Sequence, residues 1–280
     1  MEIAYCNDII VKNVEIRNSN RFGLQLVNSE SITVEDSYIH DNRLANMVLG
    51  SGANYIVRNC RLFGSSKSMR IIGSFDSMIL NSNITGQGTY GLELLSSFGT
   101  KIIGNTIEGW GTAIHTGSFI NNPVSEQTTI MGNQILNSKY NGISLKNNCI
   151  VILNSIKNSG NSINIDSNNL VSGNLISGGS TGISVSGATN FITLNLVKEC
   201  LLPAIQMLVG TTNNTVSLNL FQNNNQEGVQ AADYGMNNIW CWNYWSDYES
   251  RYPNATRNFL LWDSPYEISD NANDPYPVAL

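Results

Sequence analysis

Three residues suited to acid–base and anion-binding chemistry, Arg70, Glu93 and His115, recur 23 and 22 residues apart. An imidazole beside a carboxylate exchanges protons near neutral pH, and the carboxylate favours its charged form. A guanidinium can grip a carboxylate in a fork, whether that of Glu93 or one on a substrate. We take these three as catalytic candidates. Lys146 and Asp166 continue the charged series, and Tyr90 and Trp110 stand three and five positions before Glu93 and His115. Aromatic faces suit the apolar faces of sugar rings, so these four are substrate-binding candidates. Cross-strand ion pairing on a solvated sheet is the competing reading, worth about 0.2–1 kcal/mol per pair.

The spacing has a meaning only if something repeats. The stretch from Gly142 to Cys200 says one phrase three times: a small residue, an apolar–polar–apolar triplet, a second short strand, Asn-x-apolar, a polar turn. Its triplets Ile143-Ser144-Leu145, Ile163-Asn164-Ile165 and Ile183-Ser184-Val185 start twenty residues apart. The small first residue falls at Gly23, Asn46, Ser68, Gly91, Ala113, Gly142, Ser162, Gly182, Ala204 and Gly228. A fixed period of this length marks a solenoid, and three short strands per period mark a parallel β-helix. Right-handed coiling is the rule for parallel crossovers. The predicted fold is therefore an all-β, right-handed, single-stranded parallel β-helix of about ten rungs of roughly 22 residues.

In that register the middle residue of each triplet points outward. Arg70, Glu93 and His115 then occupy neighbouring rungs about 4.8 Å apart, with Lys146 and Asp166 on the next two. Glu93 and Asp166 lie three rungs apart, roughly 14 Å, too far for the paired carboxylates of a glycosidase. Asn59, Asn105, Asn133, Asn154, Asn174, Asn195, Asn219 and Asn243, with Asp36 early, hold one phase before the third strand and are expected to form a hydrogen-bonded ladder. The fifth period is about seven residues longer than its neighbours. The surplus lies in 117–128, where Pro123 stops strand pairing and a loop should project.

Composition sets limits. Only 13% of residues are charged and the net charge is −6, which argues against a nucleic-acid partner. No apolar run is long enough to span a membrane. Cys6, Cys60, Cys149, Cys200 and Cys241 show no CxxC spacing, and with His40 and His115 they suggest neither a metal site nor a cofactor. His40, beside Asp41 and Arg43, reads as a solvated turn. The chain starts inside the repeat, so a preceding segment carrying an export signal is expected, and the uncapped first rung offers end-to-end self-association.

From residue 239 the text changes. The repeats take up 1–238, and 239–280 reads as last strands and an aromatic-rich cap, with Trp240, Trp242 and Trp245 within six residues. Asn243-Tyr244-Trp245-Ser246-Asp247-Tyr248, then Trp262-Asp263-Ser264-Pro265-Tyr266 and Asp274-Pro275-Tyr276-Pro277, resemble the C-terminal signature of NosD-like right-handed β-helix proteins, within the carbohydrate-binding and sugar-hydrolase β-helix superfamily. The acidic run that many members carry before the DTPY segment is replaced by Arg257-Asn258-Phe259-Leu260-Leu261. The resemblance implies a secreted, periplasmic or cell-surface protein with a polysaccharide or glycan partner, and a lyase or epimerase rather than a hydrolase if it is an enzyme. A structural or adhesive surface rod without catalysis is one alternative. An accessory protein for metal-cofactor maturation is another.

Overall fold

The computed structural model describes residues 1–119 and 123–279. It is an all-β parallel solenoid of about ten turns with almost no helix, as the three-strand repeat predicts. The chain forms two compact units, Met1–Ile150 and Val151–Leu280.

In the first unit each turn gives one strand to each of three parallel sheets. The first sheet carries Phe22–Val27, Ala45–Gly50, Lys67–Ile72, Tyr90–Leu95, Thr112–Gly117 and Asn141–Leu145. Register is in phase, with Arg70 opposite Glu93 and Glu93 opposite His115. Inward residues stack like on like: Leu24, Met47, Met69, Leu92, Ile114 and Ile143 are wholly buried. A one-residue slip would turn this column outward, and that penalty fixes the register. Of the long insertion, residues 120–122 lie outside the described residues. Ser118 and Val124 pair antiparallel and the Ser125 N–H donates to the Gly117 carbonyl at 2.8 Å, closing its base.

The second unit repeats the plan with shorter first-sheet strands, such as Asn161–Ile165 and Thr181–Val185. An asparagine ladder runs through its core. The Oδ1 of Asn174 accepts from Asn154, that of Asn195 from Asn174, that of Asn219 from Asn195 and that of Asn243 from Asn219, each from both backbone N–H and Nδ2. Asp274 ends it, accepting from Asn243 and from the Trp245 indole. The aromatic segment packs here: Trp245 stacks on Tyr266 at 4.0 Å and Tyr248 on Trp262 at 4.7 Å.

Two registers differ from the expected ones. Asn59 and Asp36 sit one residue early, at the left-handed corner (φ 53° and 49°), and Cys60 and Ser37 take the buried ladder place. Asn and Asp suit either position, so residue type alone could not choose. In the last repeat Gln230, not Gly228, is the buried first residue, because Ile205 pairs with Ala231. Ala232 and not Gln230 therefore points outward.

Candidate functional site

The first-sheet face of the first unit gathers most of the candidates. Outward residues of neighbouring turns lie side by side, and two columns matter: Lys67, Tyr90 and Thr112, and three positions on, Arg70, Glu93 and His115. Glu93 points out of the sheet yet is only 5% exposed, because cations cover it. Lys67 Nζ lies 2.7 and 2.8 Å from its two carboxylate oxygens, and Arg70 Nε lies 2.6 Å from Oε2. Arg70 thus makes a single-nitrogen contact rather than the expected fork. Lys67 also lies 5.3 Å from the Tyr90 ring centre.

His115 is half-buried and stacks on Tyr90, with ring centres 4.9 Å apart and planes 16° from parallel. Burial pushes its pKa below the ordinary value. The Lys146 and Lys67 charges act in the same direction, and Glu93 opposes them. This corrects the expected sign: two cations already neutralise Glu93, so its pull does not overcome desolvation. His115 is therefore a neutral imidazole at neutral pH, able to accept a proton.

The other candidates fall elsewhere. Trp110 is wholly buried, its indole N–H donating to the Ile84 carbonyl at 3.2 Å, so it offers no ring to a sugar. Gly86 leaves room for it, since a Cβ there would lie 2.5 Å from the indole. Lys146 is exposed just beyond the strand Asn141–Leu145, and its N–H is bonded to Thr116 Oγ1. Asp166 belongs to the second unit, following the strand Asn161–Ile165. His40 is buried rather than solvated. It stacks on Phe63 at 4.7 Å, and Asp41 and Glu15 face its two ring nitrogens at 2.7 and 3.1 Å.

Two features escaped the sequence reading. Lys67 precedes the triplet, in the column that Tyr90 also occupies, and that shared phase was the available signal. The second is an open groove of about 740 Å³ along the turns that enter the sheet, lined by Gln87, Gly88, Thr89, Gly111, Lys139 and Tyr140 among others. A smaller groove lined by Asp41, Arg43 and Ser65 shares Gln87 and Gly88 with it. Tyr140 is exposed in this groove, with the Lys139 ammonium 5.2 Å from its ring centre. A lysine–glutamate–arginine cluster alone would not mark a site. Lys12, Glu35 and Arg58 form another on the second sheet, with Lys12 and Arg58 holding the Glu35 carboxyl below its usual range. The neutral imidazole and its aromatic partner set the Glu93 cluster apart.

A model described as periplasmic copper-binding protein (NosD) matches residues 1–126, and one described as right handed beta helix region matches residues 120–240. No curated protein matches the chain by sequence. Among solved structures, the Azotobacter vinelandii mannuronan C-5 epimerase AlgE6 A-module is similar at 15% identity and a TM-score of 0.60, over 84% of this chain and 63% of that one. The periplasmic alginate epimerase AlgG is similar at 14% and 0.56, over 83% and 75%. The DFA-IIIase of Arthrobacter chlorophenolicus A6 is similar at 14% and 0.55, over 70% and 56%. These are likenesses of fold, and the chain spans less than two thirds of the AlgE6 module. Copper donors do not converge: among the described residues no three His, Cys, Asp or Glu side chains are placed to share an ion. Burial also pushes the thiols of Cys60 and Cys149 up to about 11 and that of Cys200 to about 12, so that they are protonated at neutral pH.

Proposed function

Since the chain belongs to the NosD-like right-handed β-helix family, we propose that it is an extracytoplasmic glycan-binding protein whose site is the Glu93–His115 face and the adjoining groove of the first unit. One observation carries the reading: a neutral imidazole stacked on an outward tyrosine, beside a cation-clamped carboxylate, on a sheet whose entering turns line an open groove with an exposed aromatic ring. Tyr140 supplies a stacking face for a sugar ring. Lys139 and Arg43 along the grooves suit an acidic sugar. Two of the similar structures are named as epimerases of mannuronan and alginate, which agrees with this class of partner.

The same parts suit proton abstraction next to a uronate carboxylate. His115 accepts the proton. A lyase or epimerase is the enzyme class this supports. A surface module without catalysis is the second reading, favoured by the recurrence of the Lys–Glu–Arg cluster at Glu35 on the second sheet. The experiment is a glycan array at neutral pH with wild type and with Glu93→Ala/His115→Ala. Binding that the double variant loses supports the site. A folded wild type that binds no glycan overturns it.

A further inference from the structure

The corner between the second and third strands of each turn needs a left-handed residue. In the first unit the residues there are ordinary ones for that geometry: Asn13, Asp36, Asn59, Asn81, Gly104 and Gly132, with φ between 46° and 68°. In the second unit the same corner carries Leu153, Gly173, Leu194, Leu218 and Trp242, with φ of 58° to 66°. Leucine and tryptophan adopt this conformation only at a cost. Nothing in the fold returns it, because Leu153, Leu194, Leu218 and Trp242 are 45–65% exposed. The other corners of the same unit keep residues such as Asn168, Asn213, Asn237, Gly178 and Asn223, so the leucines belong to one edge rather than to the unit as a whole.

The flanking strands extend the edge. Phe191 and Ile239 on one side and Leu175 on the other are 42–57% exposed. No charged residue occupies the columns Leu170–Phe191–Thr215–Ile239 or Leu175–Leu196–Leu220–Tyr244. Together the seven exposed side chains present roughly 600 Å² of apolar surface, near the ~800 Å² that each partner buries in a standard protein–protein interface and at the top of what monomers leave bare. The Leu153 side chain reaches over the next turn, so that a Cβ on Gly173 would lie 3.0 Å from its Cδ2. The ridges therefore follow the turn spacing.

We propose that this leucine edge of the second unit is a dimerisation surface whose occupant is the same edge of a second copy. A two-fold contact sets ridges of one spacing against grooves of the same spacing. The uncharged edge also lets two chains of net charge −6 approach without like-charge contact.

The test is sedimentation velocity on the whole chain over a concentration series, for wild type, Leu194→Asn/Leu218→Asn and Leu194→Gly/Leu218→Gly. Wild type should dimerise at micromolar concentration. Both variants should dissociate about a hundredfold more readily or remain monomeric. Their thermal unfolding measured at monomer concentrations should be unchanged or raised, because Asn and Gly suit the left-handed corner. A wild type that stays monomeric throughout overturns the proposal, as does one that instead sediments with phospholipid vesicles. A dimer that both double variants preserve also overturns it, and places self-association elsewhere on the chain.

Discussion

Asn195→Ala should be among the most damaging single substitutions in the second unit. The side chain is wholly buried and makes five hydrogen bonds. Its Oδ1 accepts from the Asn174 backbone N–H at 3.0 Å and from Asn174 Nδ2 at 2.9 Å. Its Nδ2 donates to the carbonyls of Val171 and Thr193 at 3.0 Å and to Asn219 Oδ1 at 2.9 Å. Truncation strands the buried Asn174 N–H, at about 1–3 kcal/mol, and removes two amide hydrogens shared among three acceptors, at about 0.5–1.5 kcal/mol net each. Some of those acceptors keep other partners, so the expected loss is about 3–5 kcal/mol. Guanidinium unfolding read by fluorescence, with Trp240, Trp242 and Trp245 all in this unit, gives the midpoint shift, and an unchanged slope shows that stability alone moved. Asn237→Gly is the matched control: Asn237 is exposed and at φ 57°, so its cost should stay within about 0.5 kcal/mol. A loss below about 1 kcal/mol for Asn195→Ala would refute the reasoning and reduce the ladder to turn filler.

Three further outcomes follow from the site. Glu93→Gln leaves Lys67 and Arg70, each about a quarter exposed, facing each other without their anion; allowing for screening, stability should fall by about 2 kcal/mol, and adding Arg70→Met should recover part of it in a double-mutant cycle. His115 has a folded pKa below its unfolded value, so the unfolded chain takes up the proton first. Stability is full above about pH 6.5, falls as pH drops through that value towards the folded pKa, and then levels off; His115→Gln should flatten that slope in urea midpoints measured across the range. Trp110→Phe should lower the unfolding midpoint, by less than the about 3–5 kcal/mol of a truncation to Ala, while glycan binding per folded molecule stays unchanged.

The repeat carried the fold in plain sight, because every turn must bury the same small set of inward residues and the pattern therefore recurs. Arg70, Glu93 and His115 were placed on neighbouring turns from spacing alone. What spacing could not supply was environment. Trp110 looks like a turn aromatic in the text, but the Gly86 beside it opens a core slot that only three-dimensional packing shows. His115 looks like a charged partner of Glu93 until Lys67 is seen to hold the carboxylate. The cysteines share no phase in the sequence, yet Cys60 sits in the small-residue ladder, its N–H donating to Ser82 Oγ at 3.1 Å. The slip from Gly228 to Gln230 has the same root: glycine fits the pattern, but the buried glutamine side chain finds Asn224, Asp247 and Ser246 as hydrogen-bond partners. Polar satisfaction decided where residue type was ambiguous.

The most direct measurement is a calorimetric titration of a uronate oligosaccharide into the whole chain at neutral pH, for wild type and Tyr140→Ala. Tyr140 is exposed, so its removal leaves the fold intact. Saturable binding by wild type, weakened about tenfold or more in the variant, is the predicted result. No binding by folded wild type, or binding that ignores Tyr140→Ala, would contradict the placement of a glycan in this groove.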